Sequence, residues 1–104
     1  MSAIDQTKKQ EQFYIVRTDR AGVFFCNIAE RNGSEAKLKN ARMIHYWSGA
    51  ASLMQLSQEG VKNPGSCRFT IAVDEMEVLG VIQIIPCSNA AVDSINEVSE
   101  WKIR

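Results

Sequence analysis

The stretch that decides the fold is Val23-Phe24-Phe25-Cys26-Asn27-Ile28-Ala29-Glu30-Arg31-Asn32-Gly33-Ser34-Glu35-Ala36-Lys37-Leu38. Asn32 and Gly33 both tolerate positive φ, which predicts a type I′ turn joining two antiparallel strands. Before the turn, Phe24, Cys26 and Ile28 alternate with Val23, Phe25 and Ala29. Both alternating sets are apolar, so this strand is expected to lie centrally or to be covered on both faces. After the turn, Ala36 and Leu38 alternate with Lys37 and Lys39, the pattern of a half-wet strand.

Toward the N-terminus, Phe13-Tyr14-Ile15-Val16 is aromatic and β-branched and reads as a first strand. Asp19-Arg20-Ala21-Gly22 then predicts a tight hairpin, with Gly22 at positive φ. Toward the C-terminus, Asn40-Ala41 breaks the alternation and predicts a bulge or bend, after which Met43-Ile44-His45-Tyr46-Trp47 resumes as strand. Residues 48–59 predict a helix capped by Ser48, with Leu53, Met54 and Leu56 as its apolar stripe and Gly60 just past its end.

Asn63-Pro64-Gly65 is a loop, and Phe69, Ile71 and Val73 alternate with Arg68, Thr70 and Ala72 as a strand. Asp74-Glu75-Met76-Glu77 reads as a turn, and residues 81–85 as a buried last strand ending before Pro86. Ser88 caps a short second helix from residue 89 to about 98, where Val92 and Ile95 sit three apart. The order β-β-β-α-β-β-α predicts an α+β domain: an antiparallel sheet of about five strands with two helices.

The chain has 104 residues, 45% of them hydrophobic, with 12 basic and 12 acidic side chains. That composition excludes disorder, collagen and coiled coil, and it suits one globular domain over residues 13–104. Residues 1–12 are polar, carry Lys8, Lys9 and Glu11, and read as a flexible leader, not a signal peptide. The longest apolar stretch, residues 78–85, is interrupted by Gly80 and Gln83 and is too short to span a bilayer. Cys26, Cys67 and Cys87 are odd in number with no close pair, which points to free thiols in a reducing cytoplasm.

The candidate ligand site is the segment entering the first helix. Ser48-Gly49-Ala50-Ala51-Ser52 sets small side chains around a helix start, where unpaired amides attract anions. Immediately before it stand Arg42, His45, Tyr46 and Trp47, able to fork onto a phosphate and to stack on a base. Together these residues would hold a nucleotide-derived anion. The same residues also read as packing, with Gly49, Ala50 and Ala51 small for close approach and Tyr46 and Trp47 as core anchors.

His45 is the only histidine, and it lacks the partners that a metal site or a triad requires. No catalytic residue, metal or cofactor is therefore assigned. Residues 1–49 hold eight basic and five acidic side chains, and residues 50–104 hold four and seven. Arg17, Arg20, Arg31, Lys37 and Lys39 define a candidate basic face on the early hairpins. Nucleic-acid binding there, with Tyr14, Phe24, Phe25 or Tyr46 as stacking platforms, is the alternative that zero net charge disfavours. A bipolar surface of this kind would steer a partner or favour a homo-oligomer joined by opposite faces.

Three runs carry a resemblance: residues 16–24, residues 39–42, and above all Tyr46-Trp47-Ser48-Gly49-Ala50-Ala51-Ser52-Leu53. With Ile84-Ile85-Pro86-Cys87, Ser94-Ile95 and Trp101, the chain resembles a family of small uncharacterised proteins encoded by bacteriophages and prophages. His45 departs from it, standing where a bulky aromatic is expected. The resemblance implies a phage accessory protein in the host cytoplasm: a binding protein, with counter-defence as its setting, that sequesters a nucleotide-like ligand or blocks a host defence protein. A virion decoration component is a further alternative.

Overall fold

The computed structural model describes residues 12–103, so the expected leader lies outside the described residues except for Gln12. The elements in chain order are β1 (Tyr14–Thr18), β2 (Val23–Asn32), β3 (Glu35–Tyr46), α1 (Leu53–Glu59), a 3-10 turn (Pro64–Ser66), β4 (Arg68–Phe69), β5 (Val73–Val78), β6 (Val81–Pro86) and α2 (Asn89–Asn96). The fold is α+β: an antiparallel six-stranded sheet in the order β4-β3-β2-β1-β6, with β5 also paired to β3.

The sheet curls until its two ends meet at one corner, the turn between β5 and β6. β5 pairs with β3 through Ala36 and Val78, whereas β6 pairs with β1 through Thr18 and Val81. Val81 follows Val78 by only three positions, a span of at most about 11 Å. At this closure Val81 N–H donates to the Ser34 carbonyl and Asp19 N–H donates to the Gly80 carbonyl, both at 2.9 Å. Gly80 has φ +73, and a Cβ there would run into the Asp19 carboxylate.

Curling gives the sheet two buried faces. Val16, Phe24, Cys26, Leu38 and Val78 pack inside the curl. Ile15, Phe25 and Ile44 face outward against Leu56 of α1 and Ala91, Val92 and Ile95 of α2. This is why β2 reads as apolar on both faces.

The bend expected at Asn40 is present, and β3 runs through it as one strand. Asn40 adopts φ 52, and its Nδ2 donates to Asn27 Oδ1 at 2.7 Å. Buried Asn27 in turn donates from Nδ2 to the Gln12 carbonyl at 2.8 Å. The second helix also follows the sequence, with Ser88 Oγ accepting from Ala91 N–H as its N-cap.

Five local expectations change. Residues 81–85, expected as a buried strand, form β6, where no residue is buried because the strand lies at the sheet edge. The β2–β3 turn is Gly33-Ser34, with positive φ at Gly33 alone, because Asn32 pairs with Glu35 inside the ladder. That is the pattern of a type II′ turn. Residues 74–77 are not a turn: they form most of β5, where Met76 lies opposite Leu38 and Glu75 and Glu77 lie opposite Lys39 and Lys37. The strand expected over residues 68–73 shrinks to β4 at Arg68–Phe69, with Val73 opening β5, because Thr70 turns its hydroxyl to accept from Met43 N–H. Finally, α1 begins at Leu53 with Ser52 as its N-cap, four residues later than expected.

Candidate binding face

Arg42 sits on β3 and is 8% exposed. Its Nε donates to the Thr70 carbonyl at 2.8 Å, and its Nη1 to that of Ile95 at 3.3 Å. Its Nη2 reaches the carbonyls of Phe69, Val98 and Ser99 at 3.2, 3.1 and 3.4 Å. Every guanidinium nitrogen is thus engaged by backbone, Nε just past β4 and the two Nη also at the end of α2, where a helix leaves carbonyls unpaired. Burial lowers the Arg42 pKa from its ordinary value, and Glu100 acts in the opposite sense. Arg42 is a strut between sheet and helix and turns no free donor toward the Ser48–Ser52 segment.

That segment is similarly occupied. Ser48 N–H contacts Cys67 Sγ at 3.4 Å, Ala51 N–H donates to Gln55 Oε1 at 2.7 Å, and Ser52 Oγ accepts from Gln55 N–H. Trp47 Nε1 donates to the Ala50 carbonyl at 3.2 Å, and the half-buried Trp47 ring packs on the helix-side core. Gly49 has φ +91, and a Cβ there would lie 2.6 Å from Asn63 N and 2.9 Å from Lys62 Cα. Gly49 therefore answers to close backbone approach. The side chains expected around an anion do not converge: Arg42 points inward while His45 and Tyr46 face solvent.

What the fold does bring together lies on the outer side of β3 and β4. His45 stacks on Trp101, with ring centroids 4.7 Å apart and planes at 18°. The Arg68 guanidinium carbon lies 5.6 Å from the centre of the same Trp101 ring. Tyr46 pairs with Arg68 across β3 and β4, and it is 51% exposed, with Trp101 at 46%. Trp101 is fixed from behind: its N–H donates to the Phe69 carbonyl at 2.9 Å, next to a parallel bridge between Phe69 and Glu100.

A rigid backbone thus presents indole, phenol, imidazole and guanidinium to solvent in one patch. Arg68 makes no side-chain hydrogen bond or ion pair among the described residues, so its fork is free. Trp101 folds back onto β4 through its bond to the Phe69 carbonyl. Arg68 carried no signal, because its neighbourhood depends on a pairing between residues 22 apart.

The candidate basic face is broken up by pairing. Lys37 lies between Glu30 on β2 and Glu77 on β5, and Lys39 lies opposite Glu75. Arg17 donates to Gln83 Oε1 at 2.9 Å, whereas Arg20 and Arg31 are exposed near hairpin turns. The acidic β5 thus lies against the lysines of β3. A shallow depression at the β2–β3 tip, lined by Glu30, Glu35, Lys37 and Glu77, has mixed charge. Phe24 and Phe25 are buried and Tyr14 half-buried, which leaves Tyr46 alone of the four expected stacking rings well exposed.

All three cysteines are free. Burial pushes the Cys26 and Cys87 thiols up to about 12, and the proximity of Cys87 adds to the effect at Cys26. Among the described residues no group of three His, Cys, Asp or Glu side chains is placed to hold a metal ion. No described helix is long and apolar enough to cross a membrane.

Residues 11–95 match the family described as a domain of unknown function, DUF6948. The match spans most of the chain, and the protein belongs to that family. No curated protein and no solved structure gives a significant match.

Proposed function

We propose that this is a non-enzymatic binding protein that engages a protein partner through the face formed by His45, Tyr46, Arg68 and Trp101. The observation that carries this reading is the exposed Trp101 ring held between His45 at 4.7 Å and Arg68 at 5.6 Å. Tryptophan, tyrosine and arginine are the residues that dominate protein interfaces, because each joins a large apolar contact to a directional polar group. Holding the indole on a fixed backbone lowers the entropy lost when a partner docks.

The unpaired Arg68 fork favours a partner that offers a carboxylate beside an apolar side chain. The small-anion version has less support, since Arg42 and the Ser48–Ser52 segment are engaged internally. The nucleic-acid version has less as well, since Lys37 and Lys39 oppose carboxylates. The phage setting, a host protein as partner and the host cytoplasm as location are what the sequence resemblance implies.

The test compares proteins retained from host extract by the wild-type chain, by Arg68→Glu, by Trp101→Ala and by Arg20→Glu as a control. One protein retained in near-stoichiometric amount by wild type and the control, and lost by both face variants, is the expected result. Each loss should amount to about 2 kcal/mol, on the order of 30-fold in Kd. Retention of the same proteins by all four chains, or loss of a nucleic acid instead, overturns the reading.

A further inference from the structure

β6 is an edge strand with an open side. Among the described residues it pairs with β1 alone, and Cys87 N–H donates to the Phe13 carbonyl at 2.9 Å, which fixes the phase of that ladder. With Ile15 opposite Ile85 and Arg17 opposite Gln83, these residues exchange their bonds with β1. Antiparallel pairing alternates, so the N–H and C=O of Ile84 point away from β1. No turn, cap or side-chain hydrogen bond reaches them among the described residues. The open stretch is bounded at one end by the bond from Val81 N–H to the Ser34 carbonyl, and at the other by Gln58 Nε2 donating to the Pro86 carbonyl at 3.2 Å.

Apolar side chains lie along the same edge. On β6 itself Ile82 is 57% exposed. Met54 is 58% exposed and lies four residues before Gln58, on the face of α1 that reaches the end of β6. Edge strands are ordinarily guarded by charges, which penalise pairing with another strand. β5, whose outer side also has no strand partner, carries Asp74, Glu75 and Glu77. β6 reads VIQIIP and carries no charge at all.

We propose that β6 is the contact of a two-fold dimer, paired antiparallel with β6 of a second copy and centred on Ile84. The occupant follows from self-complementarity. Across a two-fold axis the Ile84 N–H of each copy meets the Ile84 carbonyl of the other, and both unpaired groups are satisfied together. An uncharged strand opposed to itself sets no like charges face to face, whereas self-pairing through β5 would oppose carboxylates. The two-fold also brings Ile82 of each copy onto the apolar strip of the other, and the contact closes without leaving a further edge to grow from.

Sedimentation equilibrium of the full chain, with Ile82→Lys beside it, tests the proposal. The expected mass for wild type is twice the chain mass of 11.6 kDa, falling to the chain mass in Ile82→Lys. Amide exchange at Ile84 provides a reading that no variant can disturb, since its N–H should be protected in the concentrated wild type and should exchange quickly on dilution to monomer. A wild-type mass of one chain at concentrations up to about 1 mM, the range of the weakest specific pairs, overturns it. So does a dimer in which the Ile84 amide exchanges freely.

Discussion

Arg42 Nη2 donates to the Val98 carbonyl at 3.1 Å, joining β3 to the segment after α2 across 56 positions of sequence. The same guanidinium lies 5.5 Å from the centre of the Phe69 ring, so one buried side chain ties sheet, β4 and helix end together. Charge in this position holds the fold and is not offered to a ligand. Arg42→Ala leaves the Thr70, Val98 and Ser99 carbonyls without donors and empties a buried position, and should cost about 3–5 kcal/mol. Arg42→Lys keeps the charge but loses the planar fork, and should recover only part of that. Urea midpoints of the two variants measure this, and an Arg42→Ala midpoint equal to wild type would show that the strut is dispensable.

The bend in β3 rests on Asn40 and Asn27. Asn40 tolerates its φ of 52 better than most residues, and its amide satisfies a buried partner. Asn40→Gly keeps the backbone freedom and loses only the hydrogen bond, costing about 1–2 kcal/mol. Asn40→Val adds a β-branched clash with that φ and should cost about 1–3 kcal/mol more. Equal stability of the two variants, measured by thermal unfolding, would remove the bend from the account.

Thiol chemistry should divide the cysteines. Cys67 is half-buried, whereas Cys26 and Cys87 are buried with thiols raised from 9.0 to about 12. A thiol-specific reagent near pH 8 should label Cys67 first in the native protein, and all three once it is unfolded. Because the raised groups hold their protons in the folded state, their contribution is fully present below pH 9.0 and is lost as pH rises toward about 12. Denaturation midpoints should therefore fall through that window, and Cys26→Ala should flatten the fall.

Gly49 tests why the Ser48–Ser52 segment is small. Its φ of +91 and the nearby backbone of Lys62 and Asn63 leave no room for a methyl group. Gly49→Ala should cost about 2 kcal/mol or more, since backbone neighbours cannot move aside as a flexible side chain would. Ala51→Ser, at an exposed position, should be nearly neutral. A tolerated Gly49→Ala would reopen the reading of this segment as a site shaped for something other than packing.

Much of the fold was legible where the signal is local. Aromatic and β-branched residues marked β1, alternation marked β2, Asn40 marked the bend, and Ser88 marked the start of α2. β5 was hidden because an acidic run looks like a turn until Lys37 and Lys39 are known to lie opposite. The start of α1 was misplaced because Ser48 and Ser52 are equally good caps in sequence, and only the packing of Gly49 against Lys62 and Asn63 excludes the earlier start. Arg42, read as a phosphate-binding arginine, is buried by a helix more than fifty residues away. The binding face was half legible: Tyr46, His45 and Trp101 drew notice singly, but nothing local joins them to Arg68.

The central claim is tested most directly by site-specific photocrosslinking. A photoreactive phenylalanine analogue would replace Trp101 in one chain and Arg20, near the β1–β2 turn, in another, each exposed to host extract. The expected result is a single protein adduct from position 101, absent from position 20 and suppressed when Arg68→Glu is added. No adduct from position 101, or the same adducts from both positions, would contradict a partner docking on the His45–Trp101–Arg68 face.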